Sequence, residues 1–261
     1  AAKSLLKEIA NDSSNEPNLR AEAIIGLVDM RSATTDLLQL ASDNGGVVRD
    51  EALRTLRGTP LTAEQMEDLN SIATTTATID LLEKLLNPSK VTARPDVQEL
   101  DLWLDLLDGP ADAEAGQRVF FHPQGPRCAH CHQIDGRGRA IGPGLVRLNG
   151  RLPITRRRLV EAILRPSKEI DPGYLPVTIV TTDGLTATGI YFKQHSTGER
   201  LIYDSKGIVR KFKTADIEEL LPSNQSIMPD GLINAMTLQE FRDVIAFLNP
   251  TEPTKPEQWS E

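Results

Sequence analysis

The sequence predicts a mainly α-helical chain made of two unlike parts, the second carrying a small antiparallel β insertion. Three observations lead there. Apolar residues recur three and four positions apart through residues 1–108. The same period returns in three segments after residue 110. Between the last two of these, about residues 175–222, lies a stretch rich in Thr, Val, Ile and aromatics with turn signals inside it. The 261 residues, 39% hydrophobic and 25% charged, suffice for about two domains. No stretch approaches the roughly 20 apolar residues of a membrane helix, so no membrane span is expected. The chain opens at Ala1 rather than Met and reads as a processed product or an excised piece of something longer.

Leu5, Leu6 and Ile9 share one face of a first helix, residues 3–10. Leu19-Arg20-Ala21-Glu22-Ala23-Ile24 is then matched 29 residues on by Val48-Arg49-Asp50-Glu51-Ala52-Leu53. Each unit reads as a short helix, a polar turn and a second helix, the first helix of the second pair being 33–41. Helical patterns follow at 62–73 and 77–86, and Met30 and Met66 serve as core filler. These units resemble short HEAT-like repeats, a stacked helical solenoid. A Pro-containing stretch, 87–95, interrupts them before a helix at 97–107, where Trp103 reads as core. Gly109-Pro110 closes a first domain of residues 1–108.

The second domain is expected over residues 111–250, followed by a tail, 251–261. Its helices are 111–121, with Gly116 and Phe120 on one face, then 155–164, then 237–248, and Thr155 and Thr237 are N-cap candidates. The insertion reads as four strands, 177–182, 185–193, 200–203 and 208–212, with hairpin turns at Asp183-Gly184 and Ser205-Lys206-Gly207. Asp216, Glu218 and Glu219 read as a solvated helix end. The insertion either shields and braces its domain or meets a partner.

Two cysteines cannot form a disulfide framework, and both fall in Cys128-Ala129-His130-Cys131-His132. C-x-x-C-H is the signature of covalent haem attachment: the two thiols add to the vinyl groups and the adjacent imidazole becomes the proximal iron ligand. A thioredoxin-type dithiol needs a strand before it and a helix opening at the first Cys, and Pro123-Gln124-Gly125-Pro126 supplies neither. Zinc would need Cys128, Cys131 and two of His122, His130 and His132 in cramped geometry. The expected cofactor is therefore one haem c held through Cys128 and Cys131, with His130 a solvent-facing filler. For the far side of the iron, Met228 in an irregular segment before Pro229 is the leading candidate, with His122, His195, Met236 or an open position as alternatives. Met236 is otherwise read as packing.

Charge divides the chain. Residues 1–110 hold 10 basic and 19 acidic side chains, whereas residues 118–168 hold 11 basic and 2 acidic, Arg137, Arg139, Arg147, Arg151 and Arg156-Arg157-Arg158 among them. Two readings stand: arginines neutralising haem propionates on a solvated face, or a docking rim for an acidic redox partner. The acidic total and the lack of an interleaved aromatic platform argue against nucleic acid.

Gly116-x-x-Val119-Phe120 before the haem motif, Gly142-Pro143, and the closing Asp243-Val244-Ile245-Ala246-Phe247-Leu248 helix resemble a class I cytochrome c. Closer still is the similarity to planctomycete and verrucomicrobial haem-binding domains preceded by HEAT-like repeats, often downstream of a β-propeller dehydrogenase-like domain. Ala162-Ile163-Leu164-x-Pro166-Ser167, Ile170-x-Pro172-Gly173-Tyr174 and Ser226-Ile227-Met228-Pro229-x-Gly231-Leu232 carry it. The resemblance implies that Gly116 lets the first and last helices cross closely, with Phe120 and Phe247 at the crossing. It also implies that the Pro143 carbonyl orients His132 and that Met228 is the second axial ligand. The expected function is single-electron transfer from a fused or docked periplasmic dehydrogenase, the chain itself being a carrier rather than an enzyme. The alternative is a haem enzyme or gas sensor with an open sixth position. No triad, P-loop or acid pair marks a separate catalytic centre.

Overall fold

The computed structural model of the chain describes residues 2–28, 33–42, 46–72, 75–88, 93–145, 154–194 and 198–249. Of the described residues about 48% are helical, 3-10 turns included, and 15% are in strands. The mainly-α class is corrected by this: residues 176–222 form a five-stranded antiparallel sheet with its own hydrophobic core, so the chain combines helical and sheet architecture. No helix among the described residues is long and apolar enough to cross a membrane.

The chain resolves into two compact units, neither a single stretch of sequence. The first takes in α1 (Ala2–Asn11), α2 (Pro17–Ile25), α3 (Thr34–Ala41), α4 (Gly46–Thr55), α5 (Ala63–Ser71) and α6 (Thr76–Leu86). Two helices from beyond Gly109-Pro110 join it, α8 (Ala113–Phe121) and α10 (Leu238–Leu248). The second unit comprises residues Asp96–Leu104, which include most of α7 (Leu100–Leu106), and residues Cys128–Leu232.

In the first unit the 29-residue repeat accounts for the core. Ala23, Ile24 and Leu27 and their counterparts Ala52, Leu53 and Leu56 are all buried in one cluster with Leu37, Leu40, Leu69, Leu81 and Leu82. Consecutive helices pack, α1 on α2 and α3 on α4, and α2 also packs on α4. Helix starts follow side-chain caps: Thr62 with Gln65 for α5, Thr75 for α6, Asp112 for α8, and Thr237 with Glu240 for α10. The repeat breaks its symmetry at a charged position. Glu22 is exposed, but its counterpart Glu51 is buried, because Arg54 and Arg118 bind its carboxylate, Arg118 Nε at 3.1 Å.

Helices α8 and α10 cross with almost no space between backbones. A Cβ on Gly116 would lie 1.9 Å from the Asp243 carbonyl oxygen, so only glycine fits. Phe120 and Phe247 meet at this crossing with ring centroids 5.7 Å apart.

In the second unit, β1 (Gln133–Ile134) and β2 (Arg137–Gly138) form a short hairpin, and α9 (Arg156–Leu164) is capped by Thr155. The large sheet comprises β3 (Pro176–Thr181), β4 (Thr186–Gln194), β5 (Glu199–Tyr203), β6 (Val209–Lys213) and β7 (Ile217–Pro222), in the order β6-β5-β4-β3-β7. The first four strands fall where the alternation places them. The fifth corrects the helix end expected at Asp216, Glu218 and Glu219: the chain makes one 3-10 turn and then pairs with β3, Ile179 opposite Leu220 and Val180 opposite Glu219. Glu218 and Glu219 are exposed, as expected of solvated charges, but it is the backbone ladder to β3 that sets their conformation. One face of the sheet buries Ile179, Ile202 and Phe212. On the opposite face, Ile190 and Tyr203 join a second cluster, with Ile141, Ile227 and Cys131.

Candidate haem-attachment site

The Cys-x-x-Cys-His stretch is wound into one compact turn. Arg127 enters the left-handed region, φ 57°, and turns the chain into a 3-10 turn at Cys128–His130. The Cys128 carbonyl then accepts from the amides of both Cys131 (3.1 Å) and His132 (2.9 Å). The following hairpin, turning at Asp135-Gly136, sends the chain back past the motif. Arg139 N donates to Ala129 O at 3.0 Å, and the Cys131 carbonyl accepts from Ile141 (3.0 Å) and Gly142 (2.8 Å). A Cβ added at Gly142 would sit 3.0 Å from His132 Cε1, so the backbone there lies directly against the imidazole.

His132 is half-buried, and its Nδ1 lies 2.9 Å from the Pro143 carbonyl oxygen. A carbonyl only accepts, so Nδ1 carries the proton and Nε2 presents its lone pair. Burial lowers the His132 pKa against the opposing Pro143 bond, keeping the ring neutral at pH 7. A neutral imidazole with one nitrogen fixed by a carbonyl is the form in which histidine binds a metal. Cys128 and Cys131 are not joined as a disulfide, and burial pushes the Cys128 thiol up to about 12. A thiol so far above neutral is a poor disulfide-exchange nucleophile, which counts against the dithiol alternative.

Met228 is half-buried in the segment leaving β7. Its neighbour Ile227 is buried in the cluster that Cys131 packs against, with Ile141, Ile190, Tyr174 and Tyr203. The expected residues Cys128, Cys131, His132, Pro143 and Met228 all lie in the second unit. Two alternatives for the far ligand lie in the first. His122 is fully buried, its Nδ1 accepting from Gln124 N at 2.9 Å and its Nε2 3.1 Å from Thr55 Oγ1. Met236 is buried core. His195 lies outside the described residues. No group of three or more His, Cys, Asp or Glu side chains converges on a metal-ion site among the described residues, so zinc finds no ligand set there. His130 is half-buried rather than solvent-facing.

The basic stretch is distributed more widely than its sequence suggests. Arg118 is buried on Glu51 in the first unit. In the second, Arg157 meets Asp101 at 2.5 Å, Arg158 meets Glu169 at 2.6 Å, and Arg165 and Lys168 share Glu161. Arg139 lies over the Tyr203 ring, 5.9 Å from its centroid. Arg147 and Arg151 are outside the described residues. Several of these cations thus have acidic partners within their own unit.

In the sequence the backing of the imidazole by residues 138–143 shows only as Gly142-Pro143, and the hairpin that delivers it only as the Asp135-Gly136 turn signal. Ser167 and Ser226, which fix the Met228 segment, carry no signal beyond the motifs they sit in. No family model matches the chain, and no curated protein matches it.

Proposed function

We propose that the chain is a monohaem c-type cytochrome module that passes single electrons from a fused or docked dehydrogenase in the periplasm or an equivalent extracytoplasmic space. The reading rests on one observation above all. His132, next to the turn that holds both thiols, gives Nδ1–H to the Pro143 carbonyl and leaves Nε2 for a metal. Cys128 and Cys131 would hold the macrocycle by thioethers, and His132 and Met228 would bind the iron. When bound, haem supplies a one-electron couple that His/Met ligation raises in potential and closes to oxygen. The chain's own part is to fix the imidazole, keep it neutral, and pack Ile141, Ile190 and Ile227 against Cys131.

Co-expression with a c-type maturation system tests the proposal. Haem should stay with the denatured protein, and Cys128→Ser with Cys131→Ser should abolish that retention. The reduced spectrum should not move under carbon monoxide, and Met228→Ala should lower the potential and admit the gas. Rapid carbon monoxide binding by the native protein would instead favour an open-site enzyme or sensor. Reduction by an acidic partner should slow steeply with salt if the arginines form a docking rim.

A further inference from the structure

The segment from Ser223 to Met228 has no helix or strand of its own, yet side chains and neighbouring backbone pin it repeatedly. Ser223 N donates to the Pro176 carbonyl at 2.9 Å, tying the segment to the start of β3. Gln225 N donates to Ser223 Oγ at 3.2 Å. Ser226 N donates to Ser167 Oγ at 3.1 Å, across to the loop after α9. Ser226 Oγ in turn accepts from Met228 N at 3.1 Å. Between these last two bonds Ile227 turns inward and is 7% exposed, in the cluster that includes Cys131.

We propose that Ser226 is a positioning residue for Met228, its hydroxyl holding the Met228 backbone while its own amide is clasped by Ser167. This inference rests on the haem reading given above. The physical argument is one of entropy. A thioether is a weak ligand on a flexible side chain, and it stays on a metal only if the backbone carrying it is already in place. An irregular segment lacks the ladder of bonds that would do this, and here serine hydroxyls replace it. Ser226 accepts from the amide two residues on, the local bond by which serine organises turns. The Ser167 bond then fastens that turn to the α9 side of the unit, and Ile227 fastens it to the cluster beside Cys131. Partners behind a ligand commonly change metal affinity tenfold or more when removed.

The experiment compares holoprotein carrying Ser226→Ala, Ser226→Thr, Ser167→Ala and Met228→Ala. Its readouts are the reduction potential and carbon monoxide binding to the reduced form, with circular dichroism as a check on folding. Loss of one hydroxyl bond corresponds to about a fivefold shift toward the form with methionine detached. Ser226→Ala should therefore bind carbon monoxide measurably and move the potential in the same direction as Met228→Ala, by less. Ser226→Thr, which keeps the hydroxyl, should behave as the parent. Ser167→Ala should give a smaller shift of the same sign, and it carries the test if Ser226→Ala does not fold. If Met228→Ala changes both readouts while both serine variants match the parent, the positioning role is overturned and the ligation stands. If Met228→Ala changes neither, the ligand assignment itself is wrong and the role of Ser226 falls with it.

Discussion

Replacing Gly116 with Ala sets two effects against each other. In an isolated helix this change is favourable by about 1 kcal/mol, because glycine is a poor helix former. In α8 the new methyl would lie 1.9 Å from the Asp243 carbonyl oxygen, 2.3 Å from its carbon and 2.8 Å from Val244 N, all backbone atoms of α10. Ordinary contact begins near 3.4 Å, so the helices must part by about 1.5 Å. Such overpacking costs about 1–3 kcal/mol or more. The separation also loosens the Phe120–Phe247 pair at 5.7 Å, about 1 kcal/mol. It strains the bond from Asp112 N to Asp243 Oδ1 at 2.8 Å, about 1 kcal/mol again. Net of the propensity gain, a loss of about 2–4 kcal/mol is expected, or about 6–12 °C in melting temperature. Thermal unfolding followed by circular dichroism measures it, with Gly144→Ala, whose Cβ meets nothing within 4 Å, as the neutral control. A melting temperature equal to or above that of the parent would refute the close crossing.

Three further outcomes are expected. Gly142→Ala puts a methyl 3.0 Å from the His132 ring, so covalent haem loading in the maturation host should fall about tenfold; parental loading and potential would contradict the stacking. Glu240→Ala strands Arg57 (2.9 Å) as a buried cation and takes one of two carboxylates from Arg54 (2.6 Å), which keeps Glu51; it should cost about 3–5 kcal/mol in urea unfolding, whereas a surface-like loss below about 1 kcal/mol would show the pairs to be weak. His122 is held down to about 3, by burial first and by Arg54 and Arg57 second. Its unfolded form takes up a proton below its ordinary 6.5 while the folded form refuses it. Stability should therefore fall as pH drops from 6.5 toward 3, by about 2 kcal/mol at pH 5, and a His122→Gln variant should flatten that slope. The Glu240 carboxyl, which burial raises but Arg57 and Arg54 hold down at about 2, adds loss in the same direction only below 4.5.

Local and periodic features could be read directly from the chain. The helix caps at Thr155 and Thr237, the Asp183-Gly184 hairpin, the apolar faces of the repeat and the Cys-x-x-Cys-His turn each depend on residues within a few positions of one another. Strand β7 was hidden because Ile217-Glu218-Glu219-Leu220-Leu221 lacks clean alternation, and its conformation comes from β3, some 40 residues earlier. The burial of Glu51 was hidden for the same kind of reason, since nothing in its repeat distinguishes it from exposed Glu22.

By itself, then, the sequence determined the short-range chemistry: which segments coil, where they start, and that two thiols and an imidazole share one turn. The tertiary structure alone decided which unit each element joins and that Nδ1 of His132 is taken by Pro143. It also decided that Met228 hangs from Ser226 beside a buried Ile227. The reason is physical. Propensities and caps act within a helical turn, whereas the pairing of a carbonyl with an imidazole, or of a buried carboxylate with an arginine, exists only after distant segments have excluded water together.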